Sequence, residues 1–269
     1  MNNAIKVTIL LLSLFASLIC SANSTRLDIA REHEDMSVKV LGGSVRIVRD
    51  YRGSGIWEWN KRWDPAVVDS ALSMKRGNND YRYSHVENEN LIYLDQFGNR
   101  FLTDPWSWRN NAPQVNATWQ DRNGNSIVYG AFNPKAPSFA GISSRYGRAT
   151  SFPSHYYDKN GVTVYLIYNA EGRVASIKDH HGNVVVTYEW TGNLLTAITD
   201  YSGRKVSYKY EQKKLTEFID VNGNSWKYSY SAKPEFIQQT TPEGYISTYD
   251  GETGISNNAG NIQTAKIEK

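Results

Sequence analysis

The chain has 269 residues, 30 Lys and Arg against 27 Asp and Glu, a formal charge of +3 and a mean hydropathy of −0.56. So small a charge, spread without a basic block, argues against a dedicated nucleic-acid binder, and a single cysteine excludes a disulfide framework or a cysteine-based zinc site. With 18 Tyr, 8 Trp and 8 Phe against 3 Met, the apolar content is weighted toward residues that favour strands.

Residues 1–22 have the form of an export signal. Lys6 and the free amine supply a positive start, Val7 to Ile19 is an apolar run, and Cys20-Ser21-Ala22 offers small residues at the cleavage site. As a helix that run spans ~20 Å, short of the ~30 Å hydrocarbon core. An uncleaved anchor and a lipid on Cys20 are the alternatives; bulky Ile19 disfavours the second. Cleavage after Ala22 would remove the only cysteine and one charge, Lys6. The expectation is a periplasmic, cell-surface or secreted protein with no membrane span after cleavage.

Ser37 to Tyr51 reads as a hairpin: Val38 and Val40 alternate before Gly42-Gly43, and Val45 and Ile47 alternate after it. Trp57, Trp59 and Trp63 follow. Asp64 to Gly77 admits two readings. Asp64, Pro65 and Gly77 would frame a helix, whereas alternating Leu72 and Met74 before Arg76-Gly77-Asn78 would frame a strand and turn; the β-rich setting favours the strand. Asp95 to Asn99 and Asp121 to Asn125 are D-x-x-G-N turns, and residues 133–155, with three prolines, read as a loop.

A repeat begins at residue 158. Asp158/Gly161, Asp179/Gly182, Asp200/Gly203 and Asp220/Gly223 share the pattern D-x-x-G, and Thr241 to Gly244 is a weaker fifth copy. The glycines are 21, 21, 20 and 21 residues apart, the regularity expected of stacked supersecondary units. Apolar residues follow each glycine in alternation, as in Val164, Leu166 and Tyr168, or Val206, Tyr208 and Tyr210, or Trp226, Tyr228 and Tyr230. After Gly182 the set Val186, Tyr188 and Trp190 comes one residue late, which predicts a β-bulge beside that turn. Each unit therefore reads as strand, tight turn, strand, looser turn. The Asp side chain accepts a backbone N–H two residues on, and Gly supplies the positive φ of the hairpin.

The stretch Y-N-A-E-G-R-V at 168–174, followed by D-x-x-G about every 21 residues, resembles the YD repeat of the bacterial RHS and teneurin-like proteins. Residues 36–51 and W-E-W-N-K-R-W at 57–63 are similar to the segment that precedes such repeats. The resemblance implies strands from many repeats joined in a sheet that curls into a hollow shell, which in some members encloses a C-terminal toxin. Four or five repeats are too few to close one, and no toxin domain is legible before Lys269, so a short or truncated member is expected.

Catalytic motifs are scarce. There is no glycine-rich phosphate loop, no G-x-S-x-G and no H-E-x-x-H. His180-His181 occupies the free middle of a repeat turn and reads as solvated rather than as a metal site, and the turn aspartates have a structural role that leaves few carboxylates for a glycosidase pair. The pairs Trp57/Trp59 and Trp106/Trp108 each share one strand face. An exposed face of that kind would stack on sugar rings; a core beneath a curved sheet is the favoured reading. The aromatics Tyr168, Tyr188, Trp190, Tyr208, Tyr210, Trp226, Tyr228 and Tyr230 read as inter-strand packing.

The combined expectation is an all-β protein of consecutive antiparallel hairpins in a curved, incompletely closed sheet. Residues 1–22 are the signal, 23–150 a β-rich lead-in, 151–250 the repeat array and 251–269 a disordered tail. Its expected role is a non-enzymatic, cofactor-free structural or interaction module, in the family's context of toxin carriage or contact-dependent competition. Partners would dock on open sheet edges, either another protein or further repeats. A freestanding polysaccharide-binding module is the alternative.

Overall fold

The computed structural model describes residues 32–53, 56–59, 66–70, 72–77, 79–103, 117–131, 149–230, 236–250 and 256–257. Among them the protein is all β, with no helix. Three strands, β1 (Glu32–Val40), β2 (Gly43–Gly53) and β3 (Ile56–Trp59), form a small sheet in that order. An antiparallel meander follows through β4 (Ala66–Ser70), β5 (Ser73–Arg76), β6 (Asn79–Glu87), β7 (Asn90–Leu94), β8 (Arg100–Thr103), β9 (Ala117–Gln120), β10 (Ser126–Ala131) and β11 (Ala149–Tyr157). The repeats supply β12 (Thr163–Tyr168), β13 (Val174–Asp179), β14 (Val184–Thr191), β15 (Leu194–Asp200), β16 (Lys205–Glu211), β17 (Lys214–Ile219), β18 (Ser225–Tyr230), β19 (Phe236–Thr240), β20 (Ile246–Asp250) and β21 (Ser256–Asn257). The expected succession of antiparallel hairpins is what the described residues adopt.

The chain divides into two compact units. One holds Met36–Ile47, the tip of the first hairpin, and Asn60–Ser207. In it β11 is a branch strand: Ala149–Ser151 pair with Val68–Ala66 of β4, and His155–Tyr157 pair with Tyr165–Thr163 of β12. Strand β4 thus has partners on both edges, and its backbone groups are not left open. The meander encloses an aromatic core in which Tyr81 meets Phe101 edge-on at 4.7 Å and Phe101 lies 5.7 Å from Tyr129. Trp119 Nε1 donates to Tyr81 OH (2.9 Å), Arg76 Nε donates to Tyr129 OH (2.8 Å), and the Arg76 guanidinium lies 4.2 Å above the Trp119 ring. The hairpin tip seats on the first repeat turn, since a Cβ on Gly42 would stand 2.6 Å from the Asn160 carbonyl oxygen. The other unit holds Met1–Asp35, Val48–Trp59 and Tyr208–Lys269, and its core is described below.

Asp64 to Gly77 follows the strand reading, as β4 and β5. The bulge expected after Gly182 is present: Ile177 faces Val186 and Lys178 faces Val184, so Val185 is the extra residue. Two expectations are corrected. Residues 149–155 are strand rather than loop, because Pro153 sits at a register shift, where its missing N–H breaks no regular ladder. Within the expected tail, Ser256 and Asn257 pair with Tyr249 and Thr248; the remainder lies outside the described residues.

Two tight turns place ordinary side chains at positive φ, Asn88-Glu89 (47° and 65°) and Gln212-Lys213 (50° and 68°). Replacing Lys213 with Gly relieves that strain and should raise stability by up to ~1 kcal/mol. Gly203→Ala should lower it by ~1 kcal/mol, through its φ of +88° alone, because an added Cβ meets nothing within 4 Å. Gly42→Ala adds the steric clash and should cost more than Gly203→Ala. Urea unfolding of the three variants tests the order.

Candidate functional site

The repeat turns share one construction. At Asp220 the Oδ1 oxygen accepts from Asn222 N (2.8 Å) and Asn224 N (2.9 Å), while Asn224 Nδ2 donates to Oδ2 (2.9 Å). The backbone closes the same loop twice, from Gly223 N to Asp220 O and from Asp220 N to Asn224 O, each at 3.0 Å. Asp95, Asp121 and Asp179 repeat this with Asn99, Asn125 and Asn183. Asp158 receives Asn160 N and Val162 N. Asp200 receives Ser202 N and Arg204 N, with Arg204 Nε on its Oδ2 at 2.8 Å. Asn169 serves with its amide oxygen and Thr241 with its hydroxyl. Desolvation pushes the carboxyls of Asp179, Asp200 and Asp220 up, and the bonds converging on them outweigh it, so all three lie below the ordinary aspartate value. Gly161, Gly182, Gly203, Gly223 and Gly244 all have positive φ, as their turns require. His180 and His181 lie 3.8 Å apart, ring to ring, in one of these turns, and no group of three His, Cys, Asp or Glu among the described residues is arranged to hold a metal.

The repeat aromatics fall into two sets. Tyr188, Tyr208 and Tyr228 are buried. Tyr168, Trp190, Tyr210, Trp226 and Tyr230 are half-buried. In the second set the polar tip of the last aromatic reaches a carbonyl near the start of the preceding strand or its neighbour. Tyr168 OH donates to Pro153 O (2.8 Å), Trp190 Nε1 to Val174 O (2.9 Å) and Tyr230 OH to Leu215 O (2.5 Å). Burial raises the hydroxyl pKa of Tyr168, Tyr210 and Tyr230.

The most unusual chemistry lies in the unit that holds the base of the first hairpin and the later repeats. Asp35 and Arg49 form an ion pair with both side chains wholly buried, Arg49 Nε lying 3.0 and 3.2 Å from the two carboxylate oxygens. Asp35 also bonds His33 Nδ1 (3.0 Å) and accepts from Tyr208 OH (2.6 Å). Arg49 Nη1 donates to Tyr228 OH at 2.8 Å. Its guanidinium carbon lies 4.6 Å from the Trp57 ring centre, 4.5 Å from Phe218 and 5.1 Å from Tyr228, an aromatic cage that solvates a cation water cannot reach. Burial alone would raise the Asp35 carboxyl; Arg49, His33 and Tyr208 hold it below the usual value. Burial, and next the Asp35 charge, push the Tyr208 hydroxyl far up, so it stays a donor. Both carboxylate oxygens of Asp35 are engaged inside the protein, which makes this centre a structural clasp.

Trp57 belongs to that clasp. It is buried, tilted against Tyr51 and Tyr228 at 5.2 Å each, and its Nε1 donates to Tyr230 OH at 3.1 Å. Trp59 is half-buried and meets Tyr208 edge-on at 5.0 Å. Trp57 is thus covered and Trp59 partly so; Trp106 and Trp108 lie outside the described residues. Sequence reasoning passed over Asp35 and Arg49. The available signal was phase: Arg49 alternates with Val45, Ile47 and Tyr51 on the buried face of β2, where a charge needs a partner. No protein-family model and no curated protein matches the chain.

Removing one member of the clasp strands the other. Arg49→Ala should cost on the order of 3–5 kcal/mol, and Arg49→Lys should also destabilise, because an ammonium lacks the planar fork. The double variant Asp35→Leu/Arg49→Met should recover much of the loss, read as unfolding midpoints in urea. Because the folded Asp35 pKa is depressed, its contribution is complete above the unfolded value near 3.8 and fades as pH falls through the folded one. Acid unfolding should therefore begin below about pH 4 and be displaced in Asp35→Asn.

Proposed function

We propose that the protein is an exported, non-enzymatic structural or interaction module of the RHS/YD-repeat type, acting at the cell envelope or outside the cell in toxin carriage or contact-dependent competition. The observation that carries this reading is the regularity of the array. Successive hairpins of one period bury Tyr188, Tyr208 and Tyr228, and the same carboxylate turn recurs at Asp158, Asp179, Asp200 and Asp220. Conspicuous acids and aromatics are spent on that construction, which supports a scaffold rather than a reaction centre. The residue pattern at 168–174 and the lead-in at 36–63 support the family reading, and the amino-terminal run supports export. Strand edges at the limits of the sheet are the surfaces on which further repeats or a partner protein would dock.

Expression in a bacterial host with fractionation tests the export half: the expected product lies outside the cytoplasm and begins at Asn23, and an intact cytoplasmic chain overturns it. Light scattering on the purified protein tests the interaction half. Assemblies larger than one chain, or a stable complex with a co-expressed repeat protein, are expected; a monodisperse monomer that binds neither contradicts the reading.

A further inference from the structure

Three of the tight turns carry a chemically reactive step. Asn123-Gly124, Asn160-Gly161 and Asn222-Gly223 are the three Asn-Gly steps of the chain, each at the tip of a D-x-x-G turn with its asparagine exposed. An asparagine followed by glycine closes readily on the next backbone nitrogen, because no Cβ obstructs the ring that forms. Asn99, Asn125, Asn183 and Asn224 are not followed by glycine, and each donates its side-chain Nδ2 to the turn aspartate. Among the described residues no such bond holds the amides of Asn123, Asn160 and Asn222. The three steps share one local restraint, since Gly124 N, Gly161 N and Gly223 N donate to the carbonyl of their turn aspartate at 3.3, 3.1 and 3.0 Å. They differ in what lies against them. The tip of the first hairpin is seated on Asn160-Gly161, where a Cβ on Gly42 would stand 2.6 Å from Asn160 O and 2.7 Å from both Gly161 C and Val162 N. A Cβ on Gly124 would make only ordinary contact, 3.6 Å from Lys159 Cβ, and one on Gly223 would meet nothing within 4 Å.

We propose that Asn222 is a site of spontaneous deamidation and that the first hairpin shields Asn160 from the same modification. The Gly223 nitrogen loses its proton to solvent base and attacks Asn222 Cγ. A bond from that nitrogen to Cγ forms, the bond from Cγ to the side-chain nitrogen breaks, and the latter takes up a proton and leaves as ammonia. Water then opens the cyclic imide at either carbonyl, giving aspartate or isoaspartate. For the nitrogen to reach Cγ, the Asn-Gly peptide has to turn. At residue 160 the close seating of Gly42 holds that peptide's carbonyl in place, whereas at residue 222 only the bonds of the turn itself resist. Modification bears on the clamp at Asp220, which binds Asn222 N and Asn224 N. Either product brings a second carboxylate close to Asp220, and isoaspartate also lengthens the backbone inside the turn. The modified turn therefore holds its strands less firmly. This chemistry is independent of the scaffold role and stands or falls without it.

The test is to age the full chain in mildly alkaline buffer, folded and in guanidinium, and to follow each Asn-Gly step by peptide mapping and mass spectrometry. In the folded protein Asn222 should be modified faster than Asn160 by on the order of ten-fold or more, with Asn123 between them. In guanidinium the three rates should converge, which shows that the fold sets the order. Amide hydrogen exchange at Asn224 should be faster in the aged protein than in the fresh one. In Gly42→Ala, with thermal melting used to show that the variant is folded, the Asn160 rate should rise toward that of Asn222. The comparison of folded and unfolded parent protein decides the matter even where that variant does not fold. Equal rates at Asn160 and Asn222 in the folded chain, an intact Asn222 while the unfolded chain reacts, or an unchanged Asn160 rate in folded Gly42→Ala each overturns the proposal.

Discussion

A hairpin array needs each strand to enter at the right register, and in this chain that is the task of one carboxylate per turn. An aspartate oxygen that gathers the N–H groups two and four residues on fixes the turn conformation through contacts within five residues. The positive φ of the glycine then closes the loop without steric cost. Because side chains alternate with a period of two, a slip of one residue would send every apolar side chain to the wrong face. The clamp is local, so it can be repeated down the chain, and variation in its chemistry is tolerated where the geometry survives. Asn169 and Thr241 occupy the same role with neutral oxygens.

The aromatics solve the complementary problem at the other end of each unit. The looser turns differ in length and composition and carry no shared carboxylate. At three of them an aromatic tip bonds a backbone carbonyl 15 or 16 residues earlier. A buried carbonyl left open would cost about 1–3 kcal/mol, so a hydroxyl or indole N–H there secures the strand while its ring fills the core. Tyrosine suits the place because it supplies both at once. The array is thus pinned by carboxylates at four of its tight turns and by a phenol or indole at three of the looser ones.

What was legible in the sequence follows from how local each interaction is. The D-x-x-G turns, the alternation behind them and the bulge after Gly182 are set by residues within a few positions of one another, and all could be read from spacing. Pro153 was misread because a proline is a strand breaker only where the ladder is regular, and the register shift beside it depends on strand β10. The buried pair was invisible for a stronger reason. Asp35 and Arg49 are separated by a hairpin, and the hydroxyls that complete them, Tyr208 and Tyr228, come more than 170 residues later. Nothing in the neighbourhood of Arg49 announces those partners. Only its position among Val45, Ile47 and Tyr51 hints that they must exist. Trp57 was legible as a core residue but not as one wall of a cation cage.

That pair also bears on why a charge is kept in such a place. Two ions taken from water cost several kcal/mol each, and a well-packed apolar replacement is often no less stable. The stabilising energy of the ion pair is therefore a poor reason for it. Its directional demands are a better one. Aromatic rings pack in many offsets, so Trp57, Phe218 and Tyr228 alone would accept the hairpin base in several seatings. The guanidinium accepts only one in which Nε meets Asp35, Nη1 meets the Tyr228 hydroxyl, and Tyr208 completes the carboxylate. Any other seating leaves a buried charge unpaired, which is penalised far more heavily than a misplaced ring. The ion pair thus works by excluding wrong registers, as the turn carboxylates do, but across long sequence separation where no local clamp can reach.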